Sequence, residues 1–522
     1  MSDKNQSPFG NPRFIFSIIL VFLFLWGWQY YVNKKYPPVL AKPPVQAVGS
    51  SALGTLADGG SPKAATSSIE QKEVTNTEEK LFSYEDEKIK WQLSSYGMGF
   101  SSYELKTYVD KEKSPIIFGT KEKSFSTSID NKTVNFEITK LSDTQYVGTA
   151  QVNGTNIKRT LNFVKETSSF ESETEFDVAP KSVSFSLGDK KHKNSGGNFL
   201  MPSFEKQDFL YKDSEKVKTE HVSGVKDGES LNKAASNVAL ATLGTQYFTQ
   251  GFVDKSEILP SISMLVTGDT ARLSINYDLK DAKITKIKNK FYIGPKLVDT
   301  LQKIDPLLPE VMDYGIFGFI AKQLLNLMKL LHGLLGNWGL AIVALTLVMR
   351  LLMLPFNIVS FKSARAMQKI QPQLAAIREK YKSDPLAVNR ETMALMKQNN
   401  ANPLSSCLPM LIQIPIFFAL WRTIGSSIEI YQQPFFGWIT DLSSHDHFFV
   451  LPILMGATMY FQQKLTPTTM DPMQAKILNF MPIIFSVFML SLPSGLTLYN
   501  FVSALFGVTQ QYFLLKDNKA KT

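Results

Sequence analysis

The chain has 522 residues, with 56 Lys or Arg against 46 Asp or Glu, and a formal net charge of +10. This length accommodates two or three domains, and an average composition conceals a polar segment at 75–305 followed by an apolar segment at 312–515. One cysteine, Cys407, excludes a disulfide framework, and the five histidines have no metal-binding spacing. The excess positive charge fits either an acidic partner, such as anionic lipid or RNA, or the topology of a membrane protein.

The first apolar run, at 14–32, follows a short N-terminal segment at 1–13. It ends in an aromatic cluster, Trp26 to Tyr31, that is typical of a membrane interface. A cleavable signal peptide is the alternative, but it requires small residues at the cleavage site, where this run has aromatic ones. We therefore predict a retained transmembrane anchor, followed at 33–74 by a flexible linker rich in Pro, Ala, Gly and Ser.

Residues 75–308 predict a domain of β-strands. Apolar and polar residues alternate repeatedly, for example at 133–139, 158–164 and 182–187. Asn153-Gly154 lies between two such runs and is typical of a β-hairpin turn. Because helical periodicity is scarce, we expect a large antiparallel β-sandwich. Such folds often bind sugars or peptides, but no aromatic or acidic cluster marks a site, so a scaffold or docking module is the simpler interpretation.

Residues 312–335 predict an amphipathic helix along the outer membrane interface. Lys322, Asn326 and Lys329 recur at helical spacing in a narrow polar stripe. Apolar residues fill the rest of the surface, namely Phe319, Ile320, Leu324, Leu327, Leu331 and Leu334. A transmembrane helix is the alternative, and it would require buried partners for the two lysines.

Five further apolar segments predict transmembrane helices, although the third and fourth are short for a span of about 20 residues. They are 338–359, 404–424, 448–463, 477–492 and 495–515. The loop at 360–402 and the tail at 516–522 are basic, whereas the loop at 425–447 has no Lys or Arg. Positive charges favour the cytoplasmic side, which places 360–402, 464–476 and the tail inside and 425–447 and the β domain outside. The sequence thus predicts a multi-spanning α-helical membrane protein with six transmembrane helices and both ends in the cytoplasm.

The loop at 360–402 predicts a helical hairpin. Asp384 and Pro385 are placed as the N-cap and the first residue of its second helix. Apolar residues at a spacing of three to four predict a coiled-coil seam, with Met367, Ile370, Leu374, Ile377 and Tyr381 on the first arm and Leu386, Met393 and Met396 on the return.

The outer faces of this hairpin are basic. Its charge either serves only to set the topology or forms a docking arm for a ribosome, RNA or a targeting factor. The candidate docking residues are Lys362, Arg365, Lys369, Arg378, Lys380 and Lys382.

Arg350 lies in the middle of the apolar run at 338–359. A charge at the centre of a span costs about 2.5–3.5 kcal/mol on insertion scales, and the other spans contain no Asp or Glu that could pair with it. Thr346 lies one turn away on the same face. Other spans contribute polar side chains that singly would more often make helix-packing hydrogen bonds, among them Gln413, Tyr499, Asn500 and Ser503. Together with an unpaired arginine they predict a hydrated cavity within the membrane.

Such a cavity would lower the cost of moving polar parts of a nascent membrane protein into the bilayer. Partitioning of the apolar segment would supply the free energy, so no nucleotide is needed. Because motifs for metal, nucleophile or phosphate chemistry are absent from the sequence, we expect neither an enzyme nor a cofactor. A transporter or channel subunit with an intramembrane anion site is the alternative, and an inverted repeat would support it. A membrane-anchored sugar-binding module is a third possibility.

Several motifs, in order, resemble the YidC/Oxa/Alb family of membrane-protein insertases. They are Asn337-Trp-Gly-Leu, Thr346-Leu-Val-Met-Arg350, Asn402-Pro-Leu, Ile412-Gln-Ile-Pro-Ile416, Pro452-Ile-Leu-Met-Gly456, Asp471-Pro-Met and Leu492-Pro-Ser-Gly-Leu-Thr-Leu-Tyr499. The match covers 337–515. The first anchor, the outer domain and the interfacial helix resemble the Gram-negative bacterial YidC form.

The resemblance implies a five-helix insertase core around a groove closed on its outer side, a periplasmic β-supersandwich and a place in the bacterial inner membrane. It implies nascent membrane proteins as substrates, the Sec translocon, a ribosome or a targeting factor as partners, and membrane lipids as surroundings. Arg350 matches the groove arginine of the family, Thr346 its neighbour, and Tyr499 a polar aromatic position on the last span. Many bacterial relatives carry Tyr-Tyr where this chain has Tyr499-Asn500, which keeps polarity but removes an aromatic contact.

Overall fold

A computed structural model describes residues 78–110, 112–119, 122–191, 206–213, 216–222, 225, 229–280, 284–312, 314, 316–399, 401, 403–465 and 472–519. The predicted N-terminal segment, anchor and linker, at 1–13, 14–32 and 33–74, lie outside these residues.

The β domain, predicted to lie on the outer side of the membrane, consists of antiparallel β-strands. In chain order they are β1 Leu81–Glu85, β2 Ile89–Ser94, β3 Phe100–Val109, β4 Pro115–Phe118, β5 Ser126–Ile129, β6 Lys132–Thr133, β7 Glu137–Lys140, β8 Gln145–Val152, β9 Thr155–Val164, β10 Ser169–Phe176, β11 Ser182–Lys190, β12 Gln207–Lys212, β13 Val217–His221, β14 Leu231–Ala235, β15 Leu240–Thr245, β16 Phe248–Asp254, β17 Ser261–Thr267, β18 Thr270–Asp278 and β19 Lys286–Pro295. They form a four-stranded sheet, β1-β2-β3-β4, a nine-stranded sheet, β13-β12-β15-β16-β19-β10-β9-β8-β7, and a six-stranded sheet, β14-β17-β18-β11-β5-β6.

The two larger sheets pack face to face, so the β-sandwich prediction is confirmed. Phe185 of the six-stranded sheet packs against Phe252 and Phe291 of the nine-stranded sheet, with ring centroids 6.3 and 5.8 Å apart. The four-stranded sheet adds Trp91, whose ring centroid lies 5.7 Å from that of Phe170. Alternate residues of β9 and β11 point into this core, which is the burial that a period of two produces.

The predicted Asn153-Gly154 turn is also confirmed. It joins β8 to β9 with Val152 paired to Thr155, and both turn residues are left-handed, with φ of 51° and 84°. The alternating run at 133–139 is wrong as a single strand, because β6 ends at Thr133 and β7 begins at Glu137. The buried Val134 and Phe136 fill the core between them, while Asn135 bridges to Tyr96.

Helices follow the sandwich. They are α1 Val298–Ile304, α2 Gly318–Leu335, α3 Trp338–Lys380, α4 Pro385–Gln398, α5 Pro403–Ser426, α6 Val450–Leu465, α7 Pro472–Met489 and α8 Ser494–Lys519, with 3₁₀ turns at Leu308–Val311 and Ile428–Ile430. Within the described residues, α3 alone is long and apolar enough to cross a membrane, and the apolar stretches at 411–426 and 479–489 are shorter. The count of six spans therefore stays a prediction.

The helix predicted at 312–335 begins later, at Gly318. Its inner face is formed by Ala321, Leu324, Leu325 and Met328. Phe319 and Leu334, predicted to belong to the apolar surface, are exposed and therefore do not contribute to the packed face.

The hairpin differs from its prediction in two respects. Its first arm is not a separate helix, because α3 runs on for 43 residues from the predicted span to Lys380. The prediction that Leu386 and Met393 of α4 face the first arm is wrong, because both are exposed. Ala387 and Thr392 are the buried residues of α4 instead. The cap is confirmed, since the Asp384 carboxylate accepts from the N–H groups of Leu386 and Ala387, both at 3.0 Å.

Candidate functional site

Helices α3 and α8 meet at Arg350. The guanidinium Nε of Arg350 donates to the Ser503 hydroxyl at 2.7 Å, and its Nη2 contacts the same oxygen. Ser503 is buried and Arg350 is partly buried. No carboxylate in the described part of the chain forms an ion pair with Arg350. The described contact of this charge is therefore a neutral hydroxyl, which leaves its net charge uncompensated.

A second polar pair lies one turn earlier along α8. Gln413 on α5 donates from Nε2 to the Tyr499 hydroxyl at 2.7 Å. Tyr499 is buried and precedes Ser503 by four residues, so both side chains lie on one face of α8. Arg350, Gln413, Tyr499 and Ser503, which were predicted separately, thus come from three helices into one polar cluster.

The structure does not bring Thr346 and Asn500 into this cluster. Thr346 is fully buried, and its hydroxyl donates to the Ile342 carbonyl of its own helix at 2.7 Å. Asn500 donates from Nδ2 to the Leu496 carbonyl at 2.9 Å and contacts the sulfur of Met489 on α7. Both side chains have the local, helix-packing bonds that are common for polar residues in membrane helices.

One polar pair was missed by sequence reasoning. Asn357 on α3 donates from Nδ2 to Gln510 Oε1 on α8 at 3.4 Å. Asn357 follows Arg350 by seven residues and Gln510 follows Ser503 by seven, so each lies two turns along the same face. The spacing of seven residues could have identified this pair from the sequence. The pair adds a second polar contact between α3 and α8.

The surface around the polar cluster is apolar. Large apolar side chains project outward from α3, α5, α6 and α7, among them Leu351, Leu352, Leu411, Ile453, Phe461, Phe480 and Ile483. Exposed apolar patches of this extent are unusual on soluble monomers and fit a lipid-facing surface.

The candidate docking residues lie on α3 and just beyond it. Lys362, Lys369, Arg378, Lys380 and Lys382 are exposed. Arg365 is partly buried, with its guanidinium 5.5 Å from the centre of the Phe361 ring. Across the described residues, no group of three or more His, Cys, Asp or Glu side chains is arranged to hold a metal ion.

Comparisons with known proteins cover nearly the whole chain. A family described as the 60Kd inner membrane protein matches residues 330–521, and one described as the YidC periplasmic domain matches residues 85–327. The membrane protein insertase YidC of Campylobacter jejuni is 31% identical over 98% of this chain and 97% of its own length. The corresponding protein of Vibrio cholerae is 35% identical over 72% of this chain and 70% of its own length.

A structure described as an active YidC insertase with its first transmembrane domain resolved has a TM-score of 0.38 and 18% identity, covering 84% of this chain and 93% of that one.

Proposed function

Because this chain belongs to the YidC family of membrane protein insertases, we propose that it inserts membrane proteins through a polar groove centred on Arg350. The family consists of bacterial inner membrane proteins and is named for insertion rather than for a catalytic reaction. Nascent membrane proteins are therefore its substrates. The observation that carries the role of the groove is the charge of Arg350, which contacts the neutral Ser503.

The proposed mechanism combines this charge with the surrounding apolar surface. A substrate with an acidic outer tail must bring carboxylates and peptide groups into hydrocarbon, which is costly for groups without partners. Arg350 offers a carboxylate an opposite charge, and the neighbouring Gln413 and Tyr499 offer hydrogen bonds. The apolar segment of the substrate then moves along the outward-facing apolar side chains into lipid, and its transfer out of water supplies the free energy.

The remaining parts of the proposal concern topology and partners. We propose six spans, with both ends of the chain in the cytoplasm and the β-sandwich in the periplasm. Exposed lysines on the hairpin at 360–402 support its role as a docking arm for a ribosome or targeting factor. The groove would act alone or beside the Sec translocon, which would deliver spans that it helps to fold and assemble.

Depletion of the protein tests this proposal. The substrates are small membrane proteins that insert without the Sec translocon and carry acidic outer tails, and protection from an external protease reports insertion. We expect insertion to stop on depletion and to return when the unmodified chain is expressed. Normal insertion in depleted cells would show that the proposed function is wrong.

A further inference from the structure

The loop between α5 and α6 completes the core of the outer domain. Tyr431 in this loop is only 7% exposed, and its ring centroid lies 4.7 Å from that of Tyr247 and 5.5 Å from that of Phe248. Ile428 is 2% exposed in the same cluster of sandwich side chains. Tyr247 and Phe248 lie where β15 turns into β16. Residues 428–432 are here called the docking segment. Two of them, Ile428 and Tyr431, pack in the core of the β domain, although the segment connects two helices of the bundle.

Hydrogen bonds fix the docking segment to the end of β3. The Tyr431 hydroxyl donates to the Val109 carbonyl at 2.8 Å. Gln432 Nε2 donates to the same carbonyl at 2.9 Å and to the Asp110 carbonyl at 3.1 Å. Gln432 has a φ of 56°, and its backbone N–H donates to the Asp441 carboxylate at 3.1 Å, which holds this left-handed turn.

The β domain and the docking segment also contact the neighbouring helices of the bundle. The Gln246 side chain of the β domain donates to the Gly425 carbonyl, near the end of α5. Lys329 on α2 forms ion pairs at 3.0 Å with Asp299 on α1 and with Glu429 in the docking segment. Burial by itself lowers the pKa of Lys329, but the Glu429 and Asp299 carboxylates raise it above its usual value, so the charged form is favoured.

We propose that the docking segment locks the outer domain onto the outer end of α5 and thereby transmits the position of that domain to α5. Gln413 lies twelve residues before Gly425, about 18 Å along the same helix at 1.5 Å per residue. One continuous helix, which contains Pro415, connects the lock to the polar cluster, so a partner that displaced the outer domain would also displace one wall of the cluster.

The lock is tested by measuring distances in the full chain in lipid bilayers, without any substrate. Because Cys407 is the single cysteine, Cys407→Ser gives a background for spin labelling at two new positions. Val178→Cys places a label on the β domain and Ile453→Cys places one on α6, at side chains that are 62% and 64% exposed. Double electron–electron resonance then reports the distribution of distances between the domain and the bundle. We expect one narrow peak for the unmodified docking segment.

Tyr431→Ala is the main variant, and we expect it to abolish the narrow peak. Phe436→Ala is the matched control, since Phe436 is an exposed aromatic residue of the same loop, and it should keep the peak. Protease resistance of the β domain shows whether Tyr431→Ala still folds. If it does not fold, the double variant Gln246→Ala with Gln432→Ala is used, since both side chains are partly exposed. It removes the bond from the β domain to Gly425 and the bonds from the docking segment to the end of β3, and it should abolish the narrow peak.

A narrow peak that survives in a folded Tyr431→Ala chain, or in the double glutamine variant where that chain fails to fold, would overturn the lock. Equal broadening in the Phe436→Ala control would overturn it as well, because the effect would then not depend on the seated side chain. Since no substrate is present, these outcomes do not depend on whether the chain inserts proteins.

Discussion

Replacing Arg350 should slow insertion in proportion to the acidity of the substrate tail. The perturbation is Arg350→Ala, compared with Arg350→Lys, which keeps the charge. Two unit charges about 4 Å apart attract by about 4 kcal/mol at an effective dielectric of about 20. The substrate carboxylate loses hydration when it binds, so we take about half of this value, about 2 kcal/mol, as the net contribution. Since about 1.4 kcal/mol corresponds to a tenfold change in rate, Arg350→Ala should slow an acidic substrate about 30-fold.

The geometry of Arg350 provides the matched control. Its Nε and Nη2 both point at the Ser503 hydroxyl, with the Nε contact at 2.7 Å. Ser503→Ala removes that contact and leaves the charge in place, so it should retain the insertion of acidic substrates. If Arg350 served only to pack α3 against α8 through Ser503, Arg350→Ala and Ser503→Ala would instead cause similar losses of insertion.

The assay is the time course of protease protection for two substrates that differ only in the outer tail, one acidic and one with the carboxylates replaced by amides. Arg350→Ala should slow the first and leave the second nearly unchanged, and Arg350→Lys should retain most of the rate on both. Equal slowing of both substrates by Arg350→Ala would refute the electrostatic reasoning and assign Arg350 to structure. Unchanged insertion of the acidic substrate would refute any contribution of its charge.

Three further predictions concern elements outside the spans. Asp384→Ala removes the cap of α4 and should cost that helix about 1 kcal/mol, measured as faster amide exchange, whereas Asn389→Ala on its exposed face should not. Gly154→Val forces a branched residue to a φ of 84° and should lower the unfolding free energy of the β domain by about 1–2 kcal/mol, measured as a lower midpoint of urea unfolding. The Asp208 carboxylate raises the pKa of His221 in the folded chain, so their bond stabilises β12 and β13 fully below the unfolded pKa of His221, about 6.5. Amide protection of these strands should therefore fall as the pH rises through the pKa of His221 in the folded chain. Asp208→Asn should remove this pH dependence.

Local chemistry explains which predictions succeeded. The Asn153-Gly154 turn depends on the backbone preferences of two adjacent residues, and the Asp384 cap on atoms within three residues of it. Both are therefore readable from sequence. The return seam of the hairpin depends instead on how α4 is rotated about its axis. One residue corresponds to about 100° of rotation, so a shift from Leu386 to Ala387 turns a different face toward α3 while the apolar spacing stays the same.

Long-range packing explains what was missed. Arg159 lies on the inner face of β9, where it is fully buried. Its guanidinium donates to the carbonyls of Gly97, Met98 and Phe125, from segments 34 to 62 residues away in the chain. Tyr431 is similar, because an aromatic residue in a loop between spans is also typical of a membrane interface. No local pattern identifies a partner at that sequence distance.

Arg159 and Arg350 show what separates a structural cation from one that can bind a substrate. A guanidinium has five N–H donors and cannot easily lose its charge. Burial lowers the pKa of Arg159 to about 9, but its Nη1 and Nε contact five fixed acceptors, namely three backbone carbonyls and the hydroxyls of Thr127 and Ser172. Arg350 has one described acceptor, the Ser503 hydroxyl, which two of its nitrogens share. Its remaining donors favour a group that arrives from outside the chain, and a carboxylate is the group that best matches both their geometry and their charge.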